Sequence, residues 1–587
     1  MPFKKLFAAL LSLALVGGVL TGCGDNSSSG RSEKSAPPLD KERIAADEAK
    51  GIQFSEDKRT LVKYNTELPD KEYTIPTGVT TIGKEAFAGC KNLTSVTIPS
   101  SVETIDALAF SGCSSLTSVT IPSSVKTISV WAFRGCENLT SVTIPEGVTT
   151  IEYEAFAGCE NLTSVTIPEG VTTIEYEAFA GCKNLTSVTI PSSVTTIGWK
   201  AFEGCRKVEV SPENPNFYLD ASGALIDRKH KILLFFPPGF SGAYTVPASV
   251  TTIGWKAFEG CGLTSVTIPS SVTTIGGGAF MECKNLTSVT IPEGVTTIEY
   301  EAFAGCKNLT SVTIPSSVTT IGWKAFEGCK NLTHVTIPEG VTTIGDKAFR
   351  GCGNLTSVTI PSSVTTIGEG AFMECKNLTG VTIPEGVTTI GKLAFAGCDN
   401  LRSVTIPASV TTIGDGAFSR FASSYSISWK DGSLECRIRS ADLWAPDRNL
   451  SMSSGNGELT AVNAHDPDGC EKIEVAPGNW NFYTDASGAL IDRRNKRLLY
   501  FPPRFSGAYT IPSHVTIIGE HAFEGCEKLT AVTIPSRVTT IGEGAFMECK
   551  NLRSVTIPSR VTTIGREAFS GCPCEESVKK QFPDYGK

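Results

Sequence analysis

The sequence is poor in the residues and motifs that most enzymes need. It has only five histidines in 587 residues, and no nucleophile elbow, phosphate-binding loop or zinc-binding helix motif accompanies them. The C-x-x-C spacing typical of zinc sites is also absent. We therefore expect no enzyme activity, no cofactor and no metal site.

Long apolar runs are equally scarce. The N-terminus has two lysines, then the fifteen-residue apolar run Leu6 to Leu20, which is shorter than the roughly 20 residues that a membrane-spanning helix needs. The Leu-Thr-Gly-Cys sequence that follows resembles a bacterial lipobox. We therefore expect residues 1–22 to be a lipoprotein signal peptide, Cys23 to carry a lipid, and the protein to be anchored in the bacterial cell envelope, exposed at the surface or secreted.

No excess of positive charge is present. The chain has 52 basic and 60 acidic residues, a net charge of -8, and removal of the two lysines in the signal peptide makes it -8 - 2 = -10. An acidic chain is a poor partner for nucleic acids or anionic membrane patches. We expect it to bind neither, apart from the lipid anchor.

What the sequence does have is a repeat. Seventeen Ala-Phe pairs mark its copies, and most neighbouring pairs are 23 residues apart. A period of this length built on L-x-x-V-x-I is typical of a leucine-rich-repeat solenoid. In the copy from Leu286 to Asn308 we expect these side chains to point inward: Leu286, Val289, Ile291, Val295, Ile298, Ala302, Phe303 and Cys306.

Each copy also contains a predicted strand. S-V-T-I alternates polar and β-branched apolar residues, and the following proline ends the strand because it cannot donate a ladder hydrogen bond. V-T-T-I is expected to begin the return path, and Gly305 to help the chain turn the corner. The predicted fold is a β-rich, right-handed array of 23-residue turns with a parallel sheet.

Two 56-residue stretches depart from the period. Cys205 and Cys261 bracket the first, and Cys470 and Cys526 bracket a near-duplicate. Both contain N-F-Y, D-A-S-G-A-L-I and F-P-P, so each is predicted to be a hairpin-like excursion that rejoins the solenoid. The predicted organisation is therefore a signal peptide (1–22), a flexible tether (23–60), capped repeats (61–205), a variant module (206–260), repeats (261–420), an irregular break (421–470), a second variant module (471–526), repeats (527–575) and a C-terminal tail (576–587).

The full repeat, L-x-x-V-x-I-P-x-x-V-x-x-I-G-x-x-A-F-x-G-C-x-N, resembles the BspA-like leucine-rich repeats of treponemal-type surface proteins. The resemblance covers about residues 71 to 572, and the break after Phe418 is its main departure. It implies a secreted or surface-anchored protein, and some members adhere to host matrix proteins or to other cells. It does not imply one ligand, since a fold does not fix a function.

Twenty cysteines invite a disulfide interpretation. Seventeen of them recur at the repeat phase, where neighbouring rungs lie about 4.8 Å apart. That spacing is within the Cα range of a disulfide, but parallel Cβ vectors do not suit its torsion of about 90°. A ladder of free, buried thiols is therefore the preferred interpretation.

The two positions before each Ala-Phe pair vary most between copies. Large aromatic residues recur there, and stacking should align them as a broken row on one face, where such side chains can contact a protein or a glycan. The alternative is that the rings only pack on one another and cover the turn. The candidate binding residues are Trp131, Tyr153, Tyr176, Trp199, Trp255, Tyr300 and Trp323.

Three functions remain open at this point. The first is a surface binding module, an adhesin for host matrix proteins or other cells, whose partner is an extracellular protein or glycan. The second is a structural spacer without a dedicated ligand. The third, binding of ice or another crystal by ladders such as Ser95 and Thr97, has only the regularity of the repeat in its favour.

Overall fold

The computed structural model describes residues 37–419, two strands within the 421–470 break, and residues 472–585 apart from Pro477. The predicted signal peptide, Cys23 and most of the break lie outside these residues. Within them, the chain is a β-solenoid with two parallel sheets, so the fold prediction is confirmed in its main features.

The first sheet is built from the S-V-T strands. Residues one period apart pair in register, as Ser141 and Ser164 do, because each copy presents the same side chains at the same phase. Its strands are Glu72–Thr74, Ser95–Thr97, Ser118–Thr120, Ser141–Thr143, Ser164–Thr166, Ser187–Ile190 and Glu209–Val210; then Ser241–Thr245, Gly262–Thr267, Ser288–Thr290, Ser311–Thr313, His334–Thr336, Ser357–Thr359 and Gly380–Thr382; then Ser403–Ile406 with Lys472–Val475; and finally Gly507–Thr510, Leu529–Thr533 and Ser554–Thr556.

The return path forms a second parallel sheet, which the sequence analysis did not anticipate. Each V-T-T-I segment contributes a two-residue strand, which is consistent with its β-branched residues. These strands are Thr81–Ile82, Thr104–Ile105 and Thr127–Ile128; Thr150–Ile151, Thr173–Ile174 and Thr196–Ile197; Thr252–Ile253, Thr274–Ile275, Thr297–Ile298, Thr320–Ile321, Thr343–Ile344, Thr366–Ile367, Thr389–Ile390 and Thr412–Ile413; and Ile517–Ile518, Thr540–Ile541 and Thr563–Ile564. Two strands before the first V-T-T-I segment begin this sheet and pair antiparallel with each other, Gln53–Phe54 and Thr60–Lys63.

All eight side chains predicted to point inward in the copy from Leu286 are buried, with exposures of 0 to 3%. At the corner, the phenylalanines of successive coils stack with nearly parallel rings, as Phe280 and Phe303 do at 5.2 Å. Gly305 adopts the expected positive φ, 73°. The residue before Ala-Phe is also left-handed in most coils, for example Glu301 at 55°, which few non-glycine residues adopt without cost.

The cysteines form the predicted thiol ladder. Of the seventeen repeat cysteines, Cys470 lies outside the described residues; the other sixteen, and Cys574, are buried and free. Most repeat thiols donate to the carbonyl of the phenylalanine one coil earlier, as Cys113 Sγ does to Phe87 O at 3.0 Å. Burial raises the pKa of Cys182 to about 12, so these thiols are poor nucleophiles in the folded protein.

The N-terminal boundary of the fold differs from the prediction. Part of the segment predicted to be a flexible tether is helix α1, Lys41–Ala49, which covers the first coils. Asp47 on α1 is buried and accepts hydrogen bonds from Tyr73 Oη at 2.6 Å and from Arg43 Nε at 3.2 Å. The tether prediction was wrong here because a few buried contacts order an otherwise polar segment.

The C-terminal tail is also a cap. Helix α2, Glu575–Gln581, buries Val578 against the last coil. Tyr585 is buried as well, and its hydroxyl accepts a hydrogen bond from Phe569 N at 2.7 Å. Both ends of the apolar core are therefore covered, which solenoids require because their terminal coils lack a neighbour on one side.

The solenoid continues across the break. Strand Ser403–Ile406 pairs in parallel with Lys472–Val475, with Val404 opposite Ile473. The intervening segment contains Tyr425–Lys430 and Ser433–Ile438, which pair antiparallel. The break is therefore an insertion between two adjacent rungs.

The two variant modules contain the predicted hairpins, but they lie within the solenoid and are not excursions from it, which corrects that part of the prediction. Each supplies three strands to the second sheet, the first two pairs antiparallel and the last strand parallel to the next coil. A half-buried turn carboxylate secures each hairpin: Asp220 accepts a hydrogen bond from Tyr244 Oη, and Asp485 accepts one from Tyr509 Oη, both at 2.7 Å. The strands are Phe217–Leu219, Leu225–Asp227 and Ile232–Phe235 in the first module, and Phe482–Thr484, Leu490–Asp492 and Arg497–Tyr500 in the second.

Each module divides the core. In the first, Leu225 and Phe235 pack into the core of the preceding array, whereas Ile226 and Leu233 pack into the core of the following one. The second module repeats this division with Leu490 and Ile491. The solenoid thus has three apolar cores separated by two septa, each septum being a strand layer that is apolar on both faces.

Candidate functional site

The candidate site is the corner that precedes each Ala-Phe pair. There the chain leaves the second sheet, and the left-handed residue before alanine turns it toward the buried phenylalanine. The two variable side chains of each coil are consequently displayed on the outside of the corner. Because coils stack in register, side chains at equivalent positions become neighbours.

The structure brings five of the seven candidate aromatic residues into one continuous row. Trp131 meets Tyr153 edge-on at 5.6 Å, Tyr153 stacks on Tyr176 at 5.1 Å, and Trp255 lies 6.0 Å from Tyr176 and 6.1 Å from Tyr300 between ring centroids. All five are half-buried. The row therefore crosses the first variant module without a gap.

The remaining two candidates are more exposed. Trp199 is 38% exposed and Trp323 is 44% exposed. Trp199 covers Gly254, where a Cβ would come within 2.7 Å of the ring. The ammonium of Lys324 lies 4.5 Å from the centre of the Trp323 ring. These two indoles offer the largest free aromatic surface along the row.

Hydroxyl and carboxylate groups accompany the rings. Burial and the neighbouring Glu154 carboxylate raise the pKa of Tyr153 to about 12. Burial, and then a hydrogen bond to Glu177, also raise the pKa of Tyr176. Both phenols therefore stay protonated at physiological pH and act as hydrogen-bond donors beside acidic groups.

Next to the row, a groove of about 780 Å³ runs along the corners of the first array and ends at the first module. Corner glycines such as Gly158 and Gly181 lie along it, and Phe235, Phe236 and Pro238 of the module close one end. Its charged lining is Arg134, Glu137, Glu154, Glu160, Glu177, Lys183, Lys200, Glu203, Lys256 and Glu259.

At the closed end, four charged residues form a network that the sequence analysis missed. Lys200 contacts Glu203 at 3.0 Å, and Lys256 contacts Glu203 at 3.2 Å and Glu259 at 2.9 Å. The sequence does contain a sign of this network, because G-W-K-A-F-E-G-C occurs on both sides of the module. The pairing of Glu203 with Lys256 was not recognised because 53 residues separate them.

Cys23, the predicted lipidation site, lies outside the described residues. No helix in the described part of the chain is long and apolar enough to cross a membrane.

Comparison with known proteins gives a clear family match. Residues 80–209, 242–355, 296–427 and 507–581 match the family described as the BspA type leucine-rich repeat region. A comparison with curated proteins found no match. Repeats of this kind typically form interaction scaffolds, and no enzyme family is indicated.

Several solved bacterial structures are similar to this chain. A leucine-rich cell surface protein from Faecalibacterium prausnitzii is 31% identical, covering 60% of this chain and 95% of that one, with a TM-score of 0.44. A leucine-rich repeat protein from Eubacterium ventriosum is 28% identical over 57% and 87% of the two chains, with a TM-score of 0.45. The pneumococcal vaccine antigen PcpA is 21% identical over 61% and 91%, with a TM-score of 0.45.

Proposed function

The chain belongs to the BspA-type leucine-rich repeat proteins of bacterial surfaces, and we propose that it is a lipid-anchored binding protein, an adhesin that contacts an extracellular protein or glycan through its aromatic row. The observation that carries this proposal is the row itself. It places large amphipathic rings at regular intervals on a preformed surface, so that a ligand is bound at little cost in conformational entropy.

The alternative is a surface spacer, and one observation favours it. Five of the seven rings pack against one another, which would also occur if they served only to cover the corners. A spacer requires reach but no recognition, so it should show no saturable binding.

Substitution of the two exposed indoles separates these functions. We expect the double variant Trp199→Ala/Trp323→Ala to bind at least tenfold more weakly, about 1.4 kcal/mol, with an unchanged thermal melt, because both rings are partly exposed. The lipid-free protein is titrated on an immobilised extracellular-matrix preparation and on whole bacterial cells. Trp480→Ala is the matched control, since Trp480 is 86% exposed but lies outside the row.

Each outcome of that titration is informative. Saturable binding that the double variant loses and the control keeps supports a binding site at the two exposed indoles beside the row. Saturable binding that survives in the double variant removes these two indoles from the site. Failure of the wild-type protein to bind either surface saturably favours the spacer.

Lipid anchoring has its own test. We expect the wild-type protein to incorporate labelled fatty acid in a bacterial host and to enter the detergent phase, because the chain between the basic N-terminus and Cys23 resembles a lipoprotein signal. Cys23→Ala should abolish both properties, since the thiol is the acceptor. Labelling that persists in this variant would contradict the lipoprotein assignment.

A further inference from the structure

The first variant module interrupts the hydrogen-bond ladder at the corner of the solenoid. In regular coils, a phenylalanine N–H donates to the alanine carbonyl of the next coil, as Phe179 N does to Ala201 O and Phe258 N to Ala279 O, both at 2.8 Å. Between these two coils the module inserts Pro237 and Pro238. Proline has no N–H to donate, so Pro237 and Pro238 cannot extend this ladder, and the corner of the first array gains a further attachment to the array that follows.

Side chains supply this attachment. Lys256 of the second array contacts Glu203 of the first at 3.2 Å. Lys200 of the first array lies 4.6 Å from the centre of the Trp255 ring, and it also contacts Glu177 at 2.9 Å. The charged side chains of this network are only 11 to 25% exposed, so solvent screens their interactions less than those of surface pairs.

The charges in this network do not balance. Glu177, Glu203 and Glu259 supply three carboxyl groups, but Lys200 and Lys256 supply only two ammonium groups. Glu203 and Glu259 both contact the ammonium of Lys256, at 3.2 and 2.9 Å, so their carboxyl groups lie close together. Two carboxyl groups held this close favour a state in which one of them retains its proton.

We propose that Lys200, Glu203, Lys256 and Glu259 form a proton-dependent clamp that fastens the first repeat array to the second at the variant module. With the shared proton in place, these four groups and Glu177 together carry no net charge, and the network joins the two corners. Loss of the proton leaves two adjacent carboxylates, one on each array, which repel each other. The junction is therefore tight in mildly acidic surroundings and opens more often as the pH rises.

The protonation chemistry agrees with this geometry. Burial and the hydrogen bond to Glu203 raise the pKa of Glu259 from 4.5 to about 7. Burial alone would raise the pKa of Glu203, but its hydrogen bond with Glu259 and the two ammonium groups lower it overall. The other titratable groups close to Glu259 are the buried thiols of Cys261 and Cys283, which stay neutral in this range.

The sign of the pH dependence follows from linkage. A group whose pKa is higher in the folded state stabilises the fold fully below its unfolded pKa and loses that contribution as the pH rises through the folded pKa. For Glu259 the stabilisation is complete below 4.5 and is lost as the pH passes through about 7. Local opening of the junction should therefore increase across neutral pH.

Hydrogen exchange of the whole protein tests the clamp. We expect protection of the amides of residues 198–205 and 254–261, corrected for intrinsic rates, to fall roughly tenfold between about pH 5 and about pH 9. Residues 322–329 are an internal control, because they have the same G-W-K-A-F-E-G-C sequence in a regular coil. The three segments are followed in peptides 198–207, 254–263 and 322–331, whose last two residues distinguish them. Equal pH dependence in all three peptides would overturn the proposal, and this comparison requires no variant.

Two amide variants refine the test. Glu259→Gln keeps a neutral donor for Glu203 and cannot titrate, so we expect it to make protection of the junction independent of pH. Glu327→Gln is the matched control: Glu327 contacts Lys324 at 3.1 Å and Arg350 at 3.3 Å within a regular stretch, and the variant should leave the pH dependence of the junction unchanged. If Glu259→Gln retains the wild-type pH profile, Glu259 does not hold the proton.

Discussion

Replacing Phe303 by alanine is expected to lower the free energy of unfolding of the middle array by about 3–5 kcal/mol. Phe303 is fully buried, and its ring lies 5.2 Å from that of Phe280 and 5.4 Å from that of Phe326, nearly parallel to both. Its loss creates a cavity in a column of rings and removes two aromatic contacts. The neighbouring coils cannot close the gap, because their backbone hydrogen bonds fix the spacing between rungs.

The same substitution should also divide the unfolding transition. A solenoid is stabilised by contacts between neighbouring coils, so a weak coil in the middle of the array lets the two sides unfold separately. Urea denaturation followed by circular dichroism should then change from one transition to two. Thr290→Ala is the control, because Thr290 is exposed on the adjacent strand of the same coil. If Phe303→Ala lowers the free energy of unfolding by less than about 1 kcal/mol, the column of stacked rings contributes little to stability.

The regular part of this fold could be predicted because every copy repeats the same information. One apolar pattern sets which side chains are buried, and a constant period sets the register, so Ser141 pairs with Ser164 without further assumptions. The second sheet was missed because T-T-I is too short to show the alternation that identifies a strand. Its hydrogen bonds come from stacking, which a single copy does not reveal.

The variant modules resisted prediction for a different reason. Strand Leu225–Asp227 is buried throughout, and Leu225 and Ile226 face different cores. A strand that is apolar on both faces has the same sequence pattern whether it separates two cores or is buried within one. Only the stacking of arrays on both sides shows that it is a septum.

The candidate site was also predicted only in part. Equal spacing within the copies predicted that the aromatic residues align, and Trp255 does contact Tyr176 across the module, whereas Trp199 is not among the contacting rings. Packing between rings, and the exposure of Trp199 and Trp323, depend on the side-chain conformations at each corner. The charged clamp depends on how the module folds, since it joins Glu203 to Lys256 across the module.

Alanine substitutions at two adjacent positions of the first septum are expected to weaken different halves of the molecule. Leu225 is fully buried in the core of the first array, and Ile226 is 1% exposed in the core of the second. Truncating either side chain should cost about 2–5 kcal/mol, and because each cavity opens on one face of the septum, the loss should concentrate on that side.

Hydrogen exchange shows where each loss falls, and each variant is the control for the other. Leu225→Ala should reduce protection most in the coil of Thr196–Ile197, and Ile226→Ala most in the coils of Thr252–Ile253 and Thr274–Ile275. Both side chains lie on one strand and differ only in the face they occupy, so a general loss of strand stability would give the two variants the same exchange pattern. Identical patterns would show that the septum transmits strain freely and that the three apolar cores behave as one.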